Sequence, residues 1–212
     1  MKKIIFSIIL FITTLINVSG QEIGSVLLTM PENIILGLEA AQKNLLISNP
    51  DDTTELKIDR GTFSELKRLA ISDDFISLQT SEAGTTQIKL LPLVNDSKII
   101  CVVKTVCNKI CDSQIQFYTT KWLPIVQGDL LPKINKSIFI KTDIDQNNQE
   151  FENAYKYLDM NPIKVTLSPT DNSMKIEYDI KNYLSEEDYK KIQPYLIEDP
   201  ITFTWDKTSY KR

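Results

Sequence analysis

Histidine is absent from all 212 residues. Without an imidazole titrating near neutrality, Ser-His-Asp and Cys-His hydrolysis are excluded, as are zinc sites of the histidine-rich kind. Glycine is also scarce. Only Gly24, Gly37, Gly61, Gly84 and Gly128 follow Gly20, too far apart for a dinucleotide fingerprint or a P-loop, so no cofactor is expected. A basic excess is missing too: 24 Lys and Arg stand against 28 Asp and Glu, a net charge of −4 with no basic stripe. Nucleic acid and anionic membrane surfaces are therefore poor partners. What remains, 42% hydrophobic and 25% charged residues, is the composition of a globular chain.

One long apolar run is present, Ile4 to Ile16, preceded by Lys2 and Lys3 and followed by Asn17-Val18-Ser19-Gly20. Charged, apolar and small-residue zones in that order form an export signal, with cleavage expected between Gly20 and Gln21. The run falls short of the roughly 20 residues that span a bilayer, so no membrane span is expected after signal removal. The remaining 192 residues carry 22 basic and 28 acidic side chains, a net of −6. No cysteine adjoins Gly20, which points away from a lipoprotein and toward a soluble periplasmic or extracellular protein.

The three cysteines, Cys101, Cys107 and Cys111, lie within eleven residues. Two β-rich runs flank Asn108-Lys109-Ile110, the length of a three-residue hairpin loop, which sets Cys107 opposite Cys111. Facing Cβ atoms in such a pair lie about 4.5 to 5.5 Å apart, within reach of a disulfide, and an exported compartment favours that bond. The C-x-x-x-C spacing is not that of a redox dithiol. The same register puts Cys101 opposite Phe117, as a buried free thiol too far along the hairpin to complete a zinc site with the other two.

Along the mature chain, Ile34, Ile35, Leu38, Ala41, Leu45 and Leu46 recur at helical spacing, and Thr29 with Glu32 forms a capping-box pattern. A helix over 31–46 is predicted. From 55 to 119 short β-rich runs alternate with turn residues: 56–58, 65–71, 75–80, 86–91, 99–106 and 113–119. Ile99 to Val103 is apolar on both faces, as in a central strand covered on both sides. Pro124, Gly128 and Pro132 mark a boundary. Beyond it come a short strand over 137–141, a helix capped by Asn147 with the stripe Phe151, Ala154, Tyr155 and Leu158, alternating strands over 163–167 and 174–180, a helix opening at Ser185, and a strand over 201–205. The fold class is α+β, with residues 1–20 as signal peptide, 21–130 as an N-terminal helix plus antiparallel β-meander, and 131–212 as a smaller antiparallel sheet unit with two helices.

Three constellations could carry chemistry. Asp143, Asp145 and Asn147 copy the opening of a calcium loop, but Asn148 replaces its glycine and Ala154 its closing acid, so no metal is expected. The adjacent carboxylates Asp51-Asp52, Asp73-Asp74 and Glu186-Glu187-Asp188 suit caps and helix dipoles better than the two converging acids of a glycosidase. Seven of eight tyrosines lie after residue 150. Tyrosine combines contact area with a polar tip, which makes Tyr157, Tyr183 and Tyr195 the candidates for partner binding.

The stretches 87–93, 106–122, 183–196 and 200–205, with Met30-Pro31-Glu32, resemble an exported domain-of-unknown-function family of gut and oral Gram-negative anaerobes. The resemblance implies a periplasmic or surface-facing protein and brings no catalytic residues. Asp52-Thr53-Thr54 likewise resembles the three-residue O-glycosylation acceptor of such bacteria. The expected function is that of a non-catalytic envelope protein binding a protein or glycan partner, with a carboxylate-dependent hydrolase acting on glycans as the alternative.

Overall fold

The computed structural model describes residues 22–48 and 56–212. The segment read as an export signal, the cleavage expected between Gly20 and Gln21, Asp51-Asp52 and Asp52-Thr53-Thr54 lie outside them. Seven antiparallel strands follow one another in space as in sequence: β1 (Leu56–Arg60), β2 (Phe63–Ile71), β3 (Phe75–Gln79), β4 (Gly84–Pro92), β5 (Lys98–Cys107), β6 (Cys111–Thr119) and the two-residue β7 (Pro124–Ile125). Short connections of turn residues leave no other partner within reach, which is the meander read from the sequence. Ile99 to Val103 are each at most 5% exposed, because β5 is covered on both faces. Leu66, Ile76, Leu78, Ile88, Leu90, Ile100 and Val102 face one cluster with the N-terminal segment, while Phe75, Leu91, Cys101, Val103 and Phe117 face another.

The N-terminal segment corrects the expected helix over 31–46. Two short helices stand there, α1 (Ile23–Leu28) and α2 (Ala40–Ile47), with turns between them. The capping box belongs to Glu39 and Gln42 rather than Thr29 and Glu32. Gly37 adopts φ +69°, a left-handed conformation that stops helix propagation. The irregular backbone finds its hydrogen bonds in long basic side chains. Lys43 Nζ donates to Met30 O, Arg60 Nη1 to Leu36 O, and Arg68 Nη1 to Leu46 O and Ser48 O. Buried carbonyls must be paired, and here tertiary contacts do what a helix ladder would have done.

A second antiparallel sheet comprises β8 (Ile163–Leu167), β9 (Ser173–Tyr178), β10 (Ile201–Trp205) and β11 (Tyr210–Lys211), in the order β11-β10-β9-β8. Alternation buries Val165, Leu167, Met174, Ile176, Phe203 and Trp205 against the first sheet, and one cluster spans both sheets. Strand β8 is an edge, and its outward N–H groups are closed by side chains rising from the first sheet. Ile163 N donates to Asp112 Oδ1 at 3.2 Å, Val165 N to Ser113 Oγ at 2.9 Å and Leu167 N to Gln87 Oε1 at 2.9 Å. Closing an edge in this way prevents stray strand pairing.

Three local expectations change. Residues 137–141 form no strand: Asn135 accepts from Ser137 N and starts a 3-10 turn over Lys136–Phe139, after which Ile140 bridges to Leu196. The helix α3 (Gln149–Tyr155) is capped by Asn148 rather than Asn147. The strand expected to reach Ile180 stops at Tyr178, because Asp179–Asn182 turns into a 3-10 helix that carries Ile180 to the helical cluster.

The Cys107 and Cys111 sulfurs stand at disulfide distance, 2.03 Å, and the strand register pairs Cys107 with Cys111 and Cys101 with Phe117. Cys101 is fully buried between the sheets, and desolvation pushes its thiol pKa up. Thiolate is the reactive form. A thiol reagent should therefore count about zero groups in the native protein, about one after denaturation and about three after denaturation with reduction. One thiol reacting in the native state would show that Cys101 is not sealed.

Candidate functional site

Helix α4 (Glu186–Ile192) begins at Ser185, whose Oγ accepts from Asp188 N at 3.1 Å. Acids fill its first turn and lysines its last, as the helix dipole favours. It packs beside α3 over a core of Ile140, Phe151, Ala154, Leu158, Ile180, Ile192 and Leu196. Phe151 anchors Tyr195 edge-on, with ring centroids 5.3 Å apart, and Tyr155 at 5.4 Å.

Between the two helices lies a cleft of about 320 Å³, lined by Glu150, Asn153, Ala154, Tyr157, Lys191 and Tyr195. Lys191 Nζ donates to Tyr157 Oη at 3.3 Å and lies 5.1 Å from the centre of that ring. Glu187 and Asp188 hold the same ammonium at 3.1 Å each. Hydrogen bonds to Asp188 first, then to Glu187 and Tyr157, raise the Lys191 pKa, so it remains a cation throughout the ordinary pH range. The cleft thus offers two aromatic side chains beside an amide, a carboxylate and an ammonium. That set can hold a ligand with both apolar faces and hydroxyl groups.

Of the three candidate tyrosines, Tyr157 and Tyr195 come together here and Tyr183 does not. Tyr183 is 37% exposed on the turn after Ile180 and lines neither this cleft nor the groove described below. Other tyrosines serve the fold: Tyr210 and Tyr189 are buried, and Tyr178 stacks on Phe139 while donating to Met160 O. Sequence reasoning missed Lys191, Asn153 and Glu150. Asn153 precedes Tyr157 by one helical turn, a spacing that could have flagged it.

Several of the candidate carboxylates are held by the fold. Asp74 grips Lys89 Nζ at 2.9 Å, a lysine whose side chain is 2% exposed, while the neighbouring Asp73 contributes its main-chain carbonyl, which accepts from Ile23 N. Glu186 pairs with Lys190 at 2.7 Å. Asp145 Oδ1 accepts from Asn147 N at 3.0 Å in a local turn. A further cleft gathers Glu177, Asp179 and Glu198, but each has a partner: Lys164 for Glu177, Cys111 N and Asn182 for Asp179, Tyr189 and Gln193 for Glu198. Hydrogen bonds lower the pKa of Asp171 (chiefly Ser173), Asp188 (Ser185), Glu198 (Tyr189) and Asp206 (Thr208). A general acid needs the opposite shift.

A second depression, of about 580 Å³, runs beside β6 and is bounded by residues 127–134 and the start of β8. Four consecutive β6 residues, Asp112 to Ile115, line it. A strand presents consecutive residues to one space only along its edge, since its faces take alternate ones.

The whole arrangement is similar to a solved domain of an uncharacterized protein from Porphyromonas gingivalis W83, at 24% identity and a TM-score of 0.80 over 91% of this chain and 98% of that one. At that identity the likeness speaks to the fold. No curated protein matches the sequence. Residues 15–210 match the family model described as "Protein of unknown function (DUF3256)", and the chain belongs to that family.

Proposed function

We propose that this is an exported, non-catalytic binding protein of the cell envelope, and that the cleft between α3 and α4 seats a glycan. The observation carrying the reading is the convergence of Tyr157 and Tyr195 with Asn153, Glu150 and Lys191 around one cleft. Sugar rings present an apolar face and a rim of hydroxyls, which matches aromatic surface bordered by amide and charged groups. Export is supported by the signal-like start of the sequence and by the Cys107–Cys111 pair. Among the described residues no helix is long and apolar enough to cross a membrane.

Calorimetric titration with a panel of neutral and acidic oligosaccharides tests the proposal. Tyr157→Ala and Tyr195→Phe isolate the ring and the hydroxyl, because Tyr157 is half-buried and Phe at 195 keeps the packing on Phe151. Losing the Tyr157 ring should weaken binding about ten-fold or more, corresponding to about 1.4 kcal/mol. Tyr183→Ala should bind as wild type. No heat with any member of the panel, or equal affinity in Tyr157→Ala, would remove the cleft from consideration.

A further inference from the structure

The outward-facing backbone of β6 is treated in two different ways along its length. Strand register with β5 assigns its residues alternately: even-numbered ones turn their N–H and C=O toward β5, odd-numbered ones turn theirs away. Thr119 N confirms the phase by donating outward to Leu123 O, and Cys111 N by donating to an Asp179 carboxylate oxygen. Phe117 is paired by β7 through Ile125. Ser113 and Ile115 lie between these closed positions. Their outward N–H and C=O groups meet no protein partner among the described residues, and they face the 580 Å³ groove.

The edge strand β8 is closed along its length. There each outward N–H of the edge has a side-chain acceptor, whereas beside Ser113 and Ile115 strand β7 ends after two residues and the chain swings away to form the far wall. The floor is apolar, with Ile163 and Val165 at its base and Leu131 beside them, all buried. The lip carries Gln114, Gln127 and Asn161. Asp112 and Lys133 add one charge of each sign, so the groove favours no strongly charged ligand. Residues 127–134 bound the groove opposite β6, which favours a single extended segment over the edge of a folded domain.

We propose that this groove is a seat for an extended segment of another polypeptide, which adds to the seven-stranded sheet beside β6. Main-chain hydrogen bonds to Ser113 and Ile115 supply register, and alternate apolar side chains enter the floor over Ile163 and Val165. The site is separate from the tyrosine cleft and stands or falls independently of it.

The test selects a displayed library of random linear heptapeptides on the wild-type protein and, in parallel, on Gly128→Trp. Gly128 lines the groove, and a Cβ built there meets nothing within 4 Å, so a side chain is accommodated there and an indole adds bulk at the groove; unchanged circular dichroism and Tm of Gly128→Trp accompany the selection as the control for folding. Enrichment on the wild type but not on Gly128→Trp is expected, with alternating apolar positions in the selected sequences. A synthetic selected peptide should slow hydrogen exchange at the Ser113 and Ile115 amides by about ten-fold or more, and its alternately N-methylated version should not. No enrichment, equal enrichment on Gly128→Trp, protection at other amides, or equal binding of the N-methylated peptide each overturns the proposal. Concentration-dependent dimerisation lost in Gly128→Trp would instead make a second copy the occupant and also overturn it.

Discussion

Arg60→Ala is expected to lower stability by about 3 kcal/mol, because the side chain hydrogen-bonds three carbonyls from three separate stretches. Its Nε donates to Ser64 O at 2.9 Å, Nη1 to Leu36 O at 2.7 Å and Nη2 to Thr80 O at 2.6 Å, and the residue is 8% exposed. Desolvation lowers the pKa of the guanidinium, which still leaves it charged. Hydrogen bonds from a charged donor are worth roughly 1.5–3 kcal/mol each. The sum is reduced because Arg60, Leu36 and Thr80 border a cleft of about 280 Å³ through which water can reach the abandoned carbonyls. For a chain of this size the loss corresponds to a Tm decrease of about 6–12 °C. Arg60→Lys should recover little of it, since one ammonium cannot span the fork. Urea unfolding of both variants checks the result, and a loss below about 1 kcal/mol in Arg60→Ala would show that the carbonyls are served equally well by water.

The same arginine explains why the N-terminal segment was misread. Of the six residues behind the helical periodicity, Ile34, Ile35, Leu38 and Leu46 are in the core while Ala41 and Leu45 are exposed. Ile34, Ile35 and Leu38 reach it from the irregular stretch before α2, because Pro31 and Gly37 interrupt the ladder and Lys43, Arg60 and Arg68 take the role of its missing donors. Leu45 is 50% exposed while Lys43 is buried, an inversion no hydropathy pattern discloses. Propensity lost here to tertiary hydrogen bonding. The meander was legible because its information is local: alternation marks each strand, turn residues mark each end, and a three-residue loop fixes the Cys107–Cys111 register. Strand β11 was missed because Tyr210 and Lys211 alone are too short to show a period. For the candidate site, the tyrosine excess was visible, yet the meeting of Tyr157 with Tyr195 and Lys191 depends on how α3 packs on α4. The open stretch of β6 was invisible for a similar reason, since it exists only because β7 stops after Ile125.

Trp205→Ala should cost about 4 kcal/mol, the expected range for a large aromatic truncated inside a core. Trp205 is 5% exposed, donates Nε1–H to Pro92 O at 2.6 Å and meets Tyr210 edge-on at 5.3 Å. Its cluster includes Leu91, Ile99 and Phe117 of the first sheet, so the cavity opens between the halves of the chain. Trp205→Phe keeps part of the packing and leaves the Pro92 carbonyl unpaired, for a smaller loss of about 2 kcal/mol. The variant also isolates a reporter. The chain has two tryptophans, and the other, Trp122, lies in the cluster on the opposite face of the first sheet, with Nε1 bonded to Val26 O at 3.0 Å. In Trp205→Ala, Trp122 fluorescence then reads the α1 side while far-ultraviolet circular dichroism reads all strands. If the shared core couples the halves, both signals move to one lower midpoint, because a defect between the sheets destabilises the face remote from it. Two midpoints, with Trp122 unmoved, would make residues 131–212 a separately folding unit. A core that draws Leu91, Ile99 and Phe117 from one half and Val165, Phe203 and Trp205 from the other favours the single transition, since each set buries its apolar surface in the same cluster as the other.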